Sequence, residues 1–174
     1  MSRRNSAPQE VTTPEFDERI VDLARVAKVI KGGRRFAFRA VVVSGDNRGR
    51  VGVGIGKANT ATDSIRKASE RSRRNMIKIS MVGTTVPHEA EEKFGGAVVF
   101  MKPATPGTGV IAGGAVRAVL EAAGVHDILT KSKGSNNKLN MVMATFRALQ
   151  MMKSVKEEAE RRSKSTDEVK PVWS

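Results

Sequence analysis

Between positions 51 and 56 a β-branched residue alternates with glycine three times, as Val51-Gly52-Val53-Gly54-Ile55-Gly56. Successive side chains of an extended chain point to opposite faces. Read as a strand, this segment has an apolar face of Val51, Val53 and Ile55 and an opposite face with no side chains. The residues leave two uses of the bare face open: backbone laid against a ridge of RNA, or a tight bend. A phosphate-cradling P-loop is not one of them, because that motif needs glycine where Val51 stands and Ser or Thr where Ala58 stands.

The neighbouring segments give this strand company. Alternation and β-branched content predict strands over Ile20–Ile30 and Phe36–Ser44, joined by the basic turn Lys31-Gly32-Gly33-Arg34-Arg35. Gly45-Asp46-Asn47-Arg48-Gly49 is the loop into the third strand, Arg50–Gly56. Thr60 then opens a helix, with Asp63 three residues on as a capping-box partner. Ala61, Ile65, Ala68, Ser72 and Met76 form its sheet-packing stripe, and Arg66, Lys67, Arg73 and Arg74 point away. The first half therefore reads β-β-β-α.

The second half mixes the two periods. Strands are predicted over Ile77–Val82, which joins the halves, over Ala97–Lys102, and over a short Asp127–Lys131. A helix over Ala115–Ala123 is stopped by Gly124, and an amphipathic helix over Lys138–Met152 buries Leu139, Val142, Met143, Phe146 and Leu149. Polar residues 1–17, with Pro8 and Pro14, read as a disordered tail, and residues 153–174, charged with both signs, as a tail that frays. The expected class is α+β with two domains, 18–81 and 82–152. With 39% apolar residues in 174, each such domain is marginal alone and support from a partner is expected.

The charge is uneven. The net charge is +13, and residues 23–78 alone carry 15 basic and 3 acidic side chains. Leu23–Gly45 holds six basic residues and no acid. A solvated face usually mixes both signs, whereas an unbroken cationic stretch suits a polyanion. Arg25, Lys28, Lys31, Arg34, Arg35 and Arg39 surround Gly32-Gly33, where a backbone free of Cβ allows close approach, so this turn is the first candidate for RNA phosphates. Arg50, Lys57, Arg66, Arg73 and Arg74 extend the candidate surface. The chain has no tyrosine and one tryptophan, Trp173, and Phe36 and Phe38 are expected to pack in the core rather than stack on bases. That favours structured RNA bound by shape and phosphates.

Other chemistries find little support. With no cysteine there is no disulfide scaffold and no thiolate zinc site. Two histidines without ligand spacing argue against a metal, and His88, in Thr85-Val86-Pro87-His88, reads as structural. The longest apolar run, near Ala97–Met101, is far short of a membrane span, and 1–15 lacks the apolar core of a secretory signal. The chain therefore reads as cytosolic or as resident in an organelle's own compartment. Gly107-Thr108-Gly109-Val110-Ile111-Ala112 matches GxGxxA before a helix, but Pro103 and Pro106 break the strand-to-loop path, and a protein contact or packing turn is the better reading. No cofactor and no small-molecule substrate is expected.

Several segments together resemble the bacterial ribosomal protein S-five family: Arg25–Arg35, Val51–Ala58, Thr85–His88, Gly107–Val119 and Lys133-Gly134-Ser135-Asn136-Asn137, in order from about Arg19 to Met152. The resemblance implies a double-stranded-RNA-binding-like first domain lacking its leading helix, and a two-layer α/β second domain. It implies a non-catalytic constituent of the small subunit that binds its rRNA, touches the S-four and S-eight proteins, helps form the mRNA entrance and influences decoding accuracy. It places Lys28–Arg35 near the rRNA site of spectinomycin, and an S-four contact at Gly107, Gly109, Gly113, Gly114 and Arg117. Location would be the cytoplasmic ribosome, or that of an organelle. The sequence departs from the family where Thr60 and Ala61 replace Glu and Val, where Lys138 replaces Pro, and in the turn Asp46-Asn47-Arg48-Gly49, which puts local capping in question. Two rivals remain: a free-standing double-stranded-RNA-binding regulator, and a small enzyme built on the GxGxxA turn.

Overall fold

The computed structural model describes residues 16–169. The expected N-terminal tail lies, but for its last two residues, outside them, as does Trp173. Strands β1 (Asp17–Ile30), β2 (Gly33–Gly45), β3 (Arg50–Ala58) and β4 (Ile77–Lys78) form an antiparallel sheet in chain order, with helix α1 (Ala61–Arg74) between β3 and β4. A second sheet has the order β5-β6-β8-β7, from Ala90–Phe94, Ala97–Pro103, Ile128–Gly134 and Val110–Ile111, with only β7 parallel to its neighbour. Helices α2 (Gly114–Ala123) and α3 (Lys138–Met151) pack on it, and α4 (Val155–Arg162) and α5 (Thr166–Val169) follow. The fold is α+β, with a β-β-β-α unit followed by an α/β unit.

The glycine face of β3 is neither open to a ligand nor a bend. Helix α1 lies directly on it. A Cβ added to Gly52, Gly54 or Gly56 would sit 2.0 Å from the carbonyl oxygens of Ser72, Ala68 and Ser64 respectively. Ser64, Ala68 and Ser72, four residues apart, are the buried line of the helix, so two small-residue surfaces meet backbone to backbone. The predicted stripe shifts accordingly: Ser64 joins it, while Ala61, Ile65 and Met76 are half-buried. Thr60 caps the helix by accepting from the Asp63 amide at 3.2 Å, but Asp63 answers to the Thr60 hydroxyl at 2.7 Å rather than to its amide.

The opposite face of the same sheet is the reason the halves do not stand apart. Val41, Val43, Val51 and Val53 share one continuous core with Val116, Val119 and Leu120 of α2, Val142 and Leu149 of α3, and Val99, Met101 and Ile128 of the second sheet. A valine-lined sheet face left in water would expose apolar surface worth roughly 25 cal/mol per Å², so each unit supplies the support the other lacks. The β2–β3 loop fixes their register. The amides of Asn47 and Gly49 donate to the carbonyls of Ala122 (3.1 Å) and Ala123 (2.9 Å), satisfying the end of α2. Gly124 ends the helix with φ of 86°, and a Cβ there would meet the Asn47 carbonyl at 2.3 Å.

Several expectations needed correction. The strand expected over 77–82 ends at Lys78, and the one over 127–131 runs from Ile128 to Gly134 as a central strand. β5 and β7 were not expected; Ala90–Phe94 is mostly charged and Val110–Ile111 is two residues long. Part of the stretch expected to fray is helical. Ser154 caps α4 by accepting from Glu157 N (3.1 Å), and Ala159 is buried. Burial pushes the Glu158 carboxyl up, but hydrogen bonds from Arg161 and Arg162 outweigh it and hold it below the ordinary value.

Candidate RNA interface

β1 and β2 outrun the rest of their sheet. β3 pairs with β2 only as far as Phe38↔Ala58, whereas β1 and β2 continue from Val26↔Ala37 to Ile30↔Gly33. The result is a two-stranded arm ending in Lys31-Gly32, with Gly32 at φ 95° and Gly33 at φ 149°. Nothing lies within 4 Å of a Cβ at either glycine, so backbone conformation and not packing selects them.

Opposed residues of an antiparallel pair share a face, and the pairing puts cations on both faces of the arm. Arg25 and Arg34 lie with Ala27, Val29, Phe36 and Phe38 on the α1 side; Lys28 and Arg35 lie opposite one another on the other. With Lys31 at the tip, these five are exposed, and none has a carboxylate partner among the described residues. Phe36 is not in the core. It is 50% exposed and carries the Arg25 guanidinium 3.7 Å from its ring centroid. Phe38 is half-buried at the arm's base.

The remaining candidates separate into two groups. Arg39, Lys57 and Arg66 lie toward the arm, since Arg39 pairs with Lys57 and the N-terminal end of α1 rides over Gly56. Arg39 is held by Asp22 at 3.6 Å, and its buried Nε has no hydrogen-bond partner among the described residues. Arg66 pairs with Asp63 at 3.5 Å. Arg50, Arg73 and Arg74 lie at the other end of the sheet, about 23 Å from Lys57 along β3 at roughly 3.3 Å per residue. There Arg73 is tied to Glu18 at 2.7 Å and Arg50 is within 4.0 Å of Asp46, while Arg74 is exposed. The thirteen candidates are thus not one patch: the arm concentrates the uncompensated charge.

The second glycine cluster is built differently. Gly107 and Gly109 lie in the β6–β7 loop, Gly113 caps α2, Gly114 begins it, and a Cβ at any of the four would meet nothing within 4 Å. Packing therefore does not demand these glycines; Gly107, Gly113 and Gly114 are exposed, whereas Gly109 is half-buried and its carbonyl accepts from the Ile128 amide at 3.1 Å. Arg117 donates to the Val110 carbonyl at 3.0 Å. β7 lies inside the GxGxxA segment, so the strand–turn–helix of a dinucleotide site is absent. Sequence reasoning missed the residue that shapes this loop. Buried Asp127 accepts from the Thr84 hydroxyl at 2.6 Å and from the Gly109 amide at 2.9 Å. Those bonds, Thr84 first, hold its carboxyl below the ordinary range. A lone Asp before a strand carries no signal of such a role.

His88 is structural in the plainest sense. Its Nδ1 lies 2.7 Å from the Glu89 carbonyl and its Nε2 accepts from the Lys153 amide at 3.1 Å, tying the start of the C-terminal helices to the body. Among the described residues no group of three or more His, Cys, Asp or Glu is placed to hold a metal, and no helix is long and apolar enough to cross a membrane.

Residues 16–80 match the family description "Ribosomal protein S5, N-terminal domain", and residues 92–162 match "Ribosomal protein S5, C-terminal domain". The chain belongs to the ribosomal protein S5 family. A curated member, "Small ribosomal subunit protein uS5" of Chloroflexus aurantiacus, is 51% identical over 169 residues, covering 97% of this chain and 93% of that protein. The S5 family is one of ribosomal structural proteins and not of enzymes, which removes the enzyme rival built on the GxGxxA turn. The departures from the family pattern are absorbed locally. Asn137 caps α3 by accepting from Leu139 N at 3.1 Å, and Lys138 reaches Asp22 at 3.4 Å. In the altered turn, Asp46 accepts from the amides of Arg48 (2.8 Å) and Arg50 (2.9 Å).

Proposed function

We propose that the chain is a structural constituent of the small ribosomal subunit, anchored to its rRNA by the β1–β2 arm. The observation that carries this reading is the arm itself: five exposed cations without carboxylate partners among the described residues, on a ribbon that has left its sheet. A solvated surface gains nothing from such charge, whereas each contact with a phosphate releases condensed counterions. Lys28–Arg35 is then the segment that would lie near the spectinomycin site of the rRNA. The exposed backbone of Gly107, Gly113 and Gly114, with half-buried Gly109 shaping the loop and Arg117 exposed beside it, supports a contact with the S-four protein, and through it an influence on the mRNA entrance and decoding accuracy. S-eight is the second neighbour. The domains follow as 18–81 for rRNA and 82–152 for protein contacts, flanked by charged tails, in a cytoplasmic ribosome.

Sedimentation of a lysate tests the assignment. Stoichiometric presence in small subunits and whole ribosomes, and absence from free large subunits, is expected. Presence only at the top of the gradient would favour the free-standing RNA-binding regulator. Replacing Lys31, Arg34 and Arg35 by Ala should lower the salt slope of rRNA binding by about 2–3 if each residue neutralises one phosphate.

A further inference from the structure

The C-terminal helices are short of apolar cover. α4 has 8 residues, too few to hold as a helix in water without tertiary packing. Yet Ala159 is its one buried residue, Val155 is half-buried, and so is Val169 at the end of α5. Between these helices and the body runs a groove of about 320 Å³, lined by Pro87, His88, Val155, Glu158, Arg162 and Val169. Both ring nitrogens of His88 are engaged, Nδ1 with the Glu89 carbonyl and Nε2 with the Lys153 amide, so the ring meets the groove as an apolar wall. Arg161 and Arg162 both bond to Oε1 of Glu158, and among the described residues no hydrogen bond reaches Oε2. The groove thus combines apolar walls with one spare acceptor, which suits a flat apolar group carrying a single N–H.

We infer that the groove seats the indole of Trp173 from the same chain, with Nε1 donating to Glu158 Oε2, and that the seated ring clasps α4 and α5 to the second domain. An indole is an apolar plate with one donor and no acceptor, and a buried one needs a partner for that donor. Trp173 is the one tryptophan of the chain and lies four positions beyond Val169, which itself lines the groove. Four residues reach up to about 14 Å. Pro171 stands between and has no amide hydrogen to carry α5 onward, so the chain is free to turn back. A guanidinium held by its edge offers its face to an aromatic ring, and Arg162 is held in that way by Glu158. Tethering decides between the chain's own tail and a separate partner. A group on so short a linker is present at an effective concentration in the millimolar range. The clasp does not depend on the rRNA reading.

The test reads the indole directly, because the chain has one tryptophan and no tyrosine. Emission maximum and acrylamide quenching are measured for the full chain, native and in urea. Native emission to the blue of the unfolded chain's, with quenching reduced severalfold, is expected. Native values equal to those in urea overturn the inference. Burial that appears only as protein concentration rises also overturns it, since a second copy would then receive the ring. Val155→Asp locates the seat. An acid suits the first turn of α4 but puts a charge in the groove, so emission and quenching should move to the unfolded values with the far-ultraviolet dichroism unchanged. Wild-type emission in that variant would place the ring elsewhere and sink the assignment. Should Val155→Asp unfold α4, Trp173→Ala decides. Amide exchange over residues 155–162 should then be about tenfold faster than in the wild type, with β6 and β8 unaffected, and unchanged exchange over 155–162 overturns the clasp.

Discussion

Gly54 of β3 and Ala68 of α1 are in backbone contact: a methyl group on Gly54 would fall 2.0 Å from the Ala68 carbonyl oxygen and 2.5 Å from the Ser72 amide nitrogen. The obstacle is helix backbone and not the tip of a flexible side chain, so relief requires α1 to lift from the sheet. Gly54→Ala is therefore expected to destabilise the chain by about 3 kcal/mol or more, at or beyond the upper end of ordinary overpacking, with a matching fall in the urea midpoint. Gly32→Ala is the control. Its Cβ meets nothing and only the left-handed φ of 95° is strained, a cost of roughly 1–2 kcal/mol. Equal losses in the two variants would mean that α1 is not pressed on β3 as described.

That contact marks how far the sequence could be read. The alternation at 51–56 identifies β3 and its bare face, but what covers the face depends on Ser64, Ala68 and Ser72. A line of small residues on a basic helix has no hydrophobic signature, so the two complementary patterns look unrelated until the chain is folded. Strands with a strong two-residue period, β1 to β3 and β6, are legible, as are helices with a cap and a clear stop, such as α2 before Gly124. β5 is not, because Glu91, Glu92 and Lys93 look like a loop. The site divides in the same way. The basic arm is visible as a run of cations around Gly32-Gly33. That Arg39 is neutralised by Asp22 and Arg73 by Glu18 is not, because those acids lie 17 and 55 positions away.

Asp127 gives the second domain a pH dependence of definite sign. The Thr84 hydroxyl and the Gly109 amide depress its carboxyl in the folded chain. The unfolded chain then binds the proton more readily, so the stabilisation is complete above the unfolded carboxyl value, near 4, and is lost as pH falls through the lower folded one. Asp127→Asn should remove this increment. Denaturation measured at intervals from pH 6 to pH 2 is expected to show a gap between wild type and variant that is constant at the upper end and narrows on acidification. A gap independent of pH would mean that the charge on Asp127 does not matter.

His88 predicts a local effect without a global one. Its ring accepts the Lys153 amide just ahead of α4, and Ala159 is the only residue of that helix buried against neighbours. His88→Ala leaves the amide to solvent and loosens the join. Amide exchange over residues 153–160 should speed by about tenfold, which corresponds to about 1.4 kcal/mol of local opening free energy. Exchange in β6 and β8 should not change. Faster exchange throughout would assign His88 to the core's stability rather than to the seating of α4.

The Arg25–Phe36 pair bears on how the arm would meet RNA under the proposed function. An Arg held over a ring is ordered before binding, so less side-chain entropy is lost when its guanidinium takes a phosphate. Phe36 is half in solvent, and its contribution to the fold is correspondingly small. Phe36→Leu keeps the apolar contact on the strand but removes the ring's negative face. The expected result is unchanged thermal stability, with rRNA affinity reduced by about 2–5-fold, the equivalent of the 0.5–1 kcal/mol of an exposed cation–π contact. The salt slope should stay at the wild-type value, because the charge is still present and only its ordering is lost. A fall in slope would show that Arg25 had left the RNA altogether, and an unchanged affinity would show that the ring does not order Arg25 for binding.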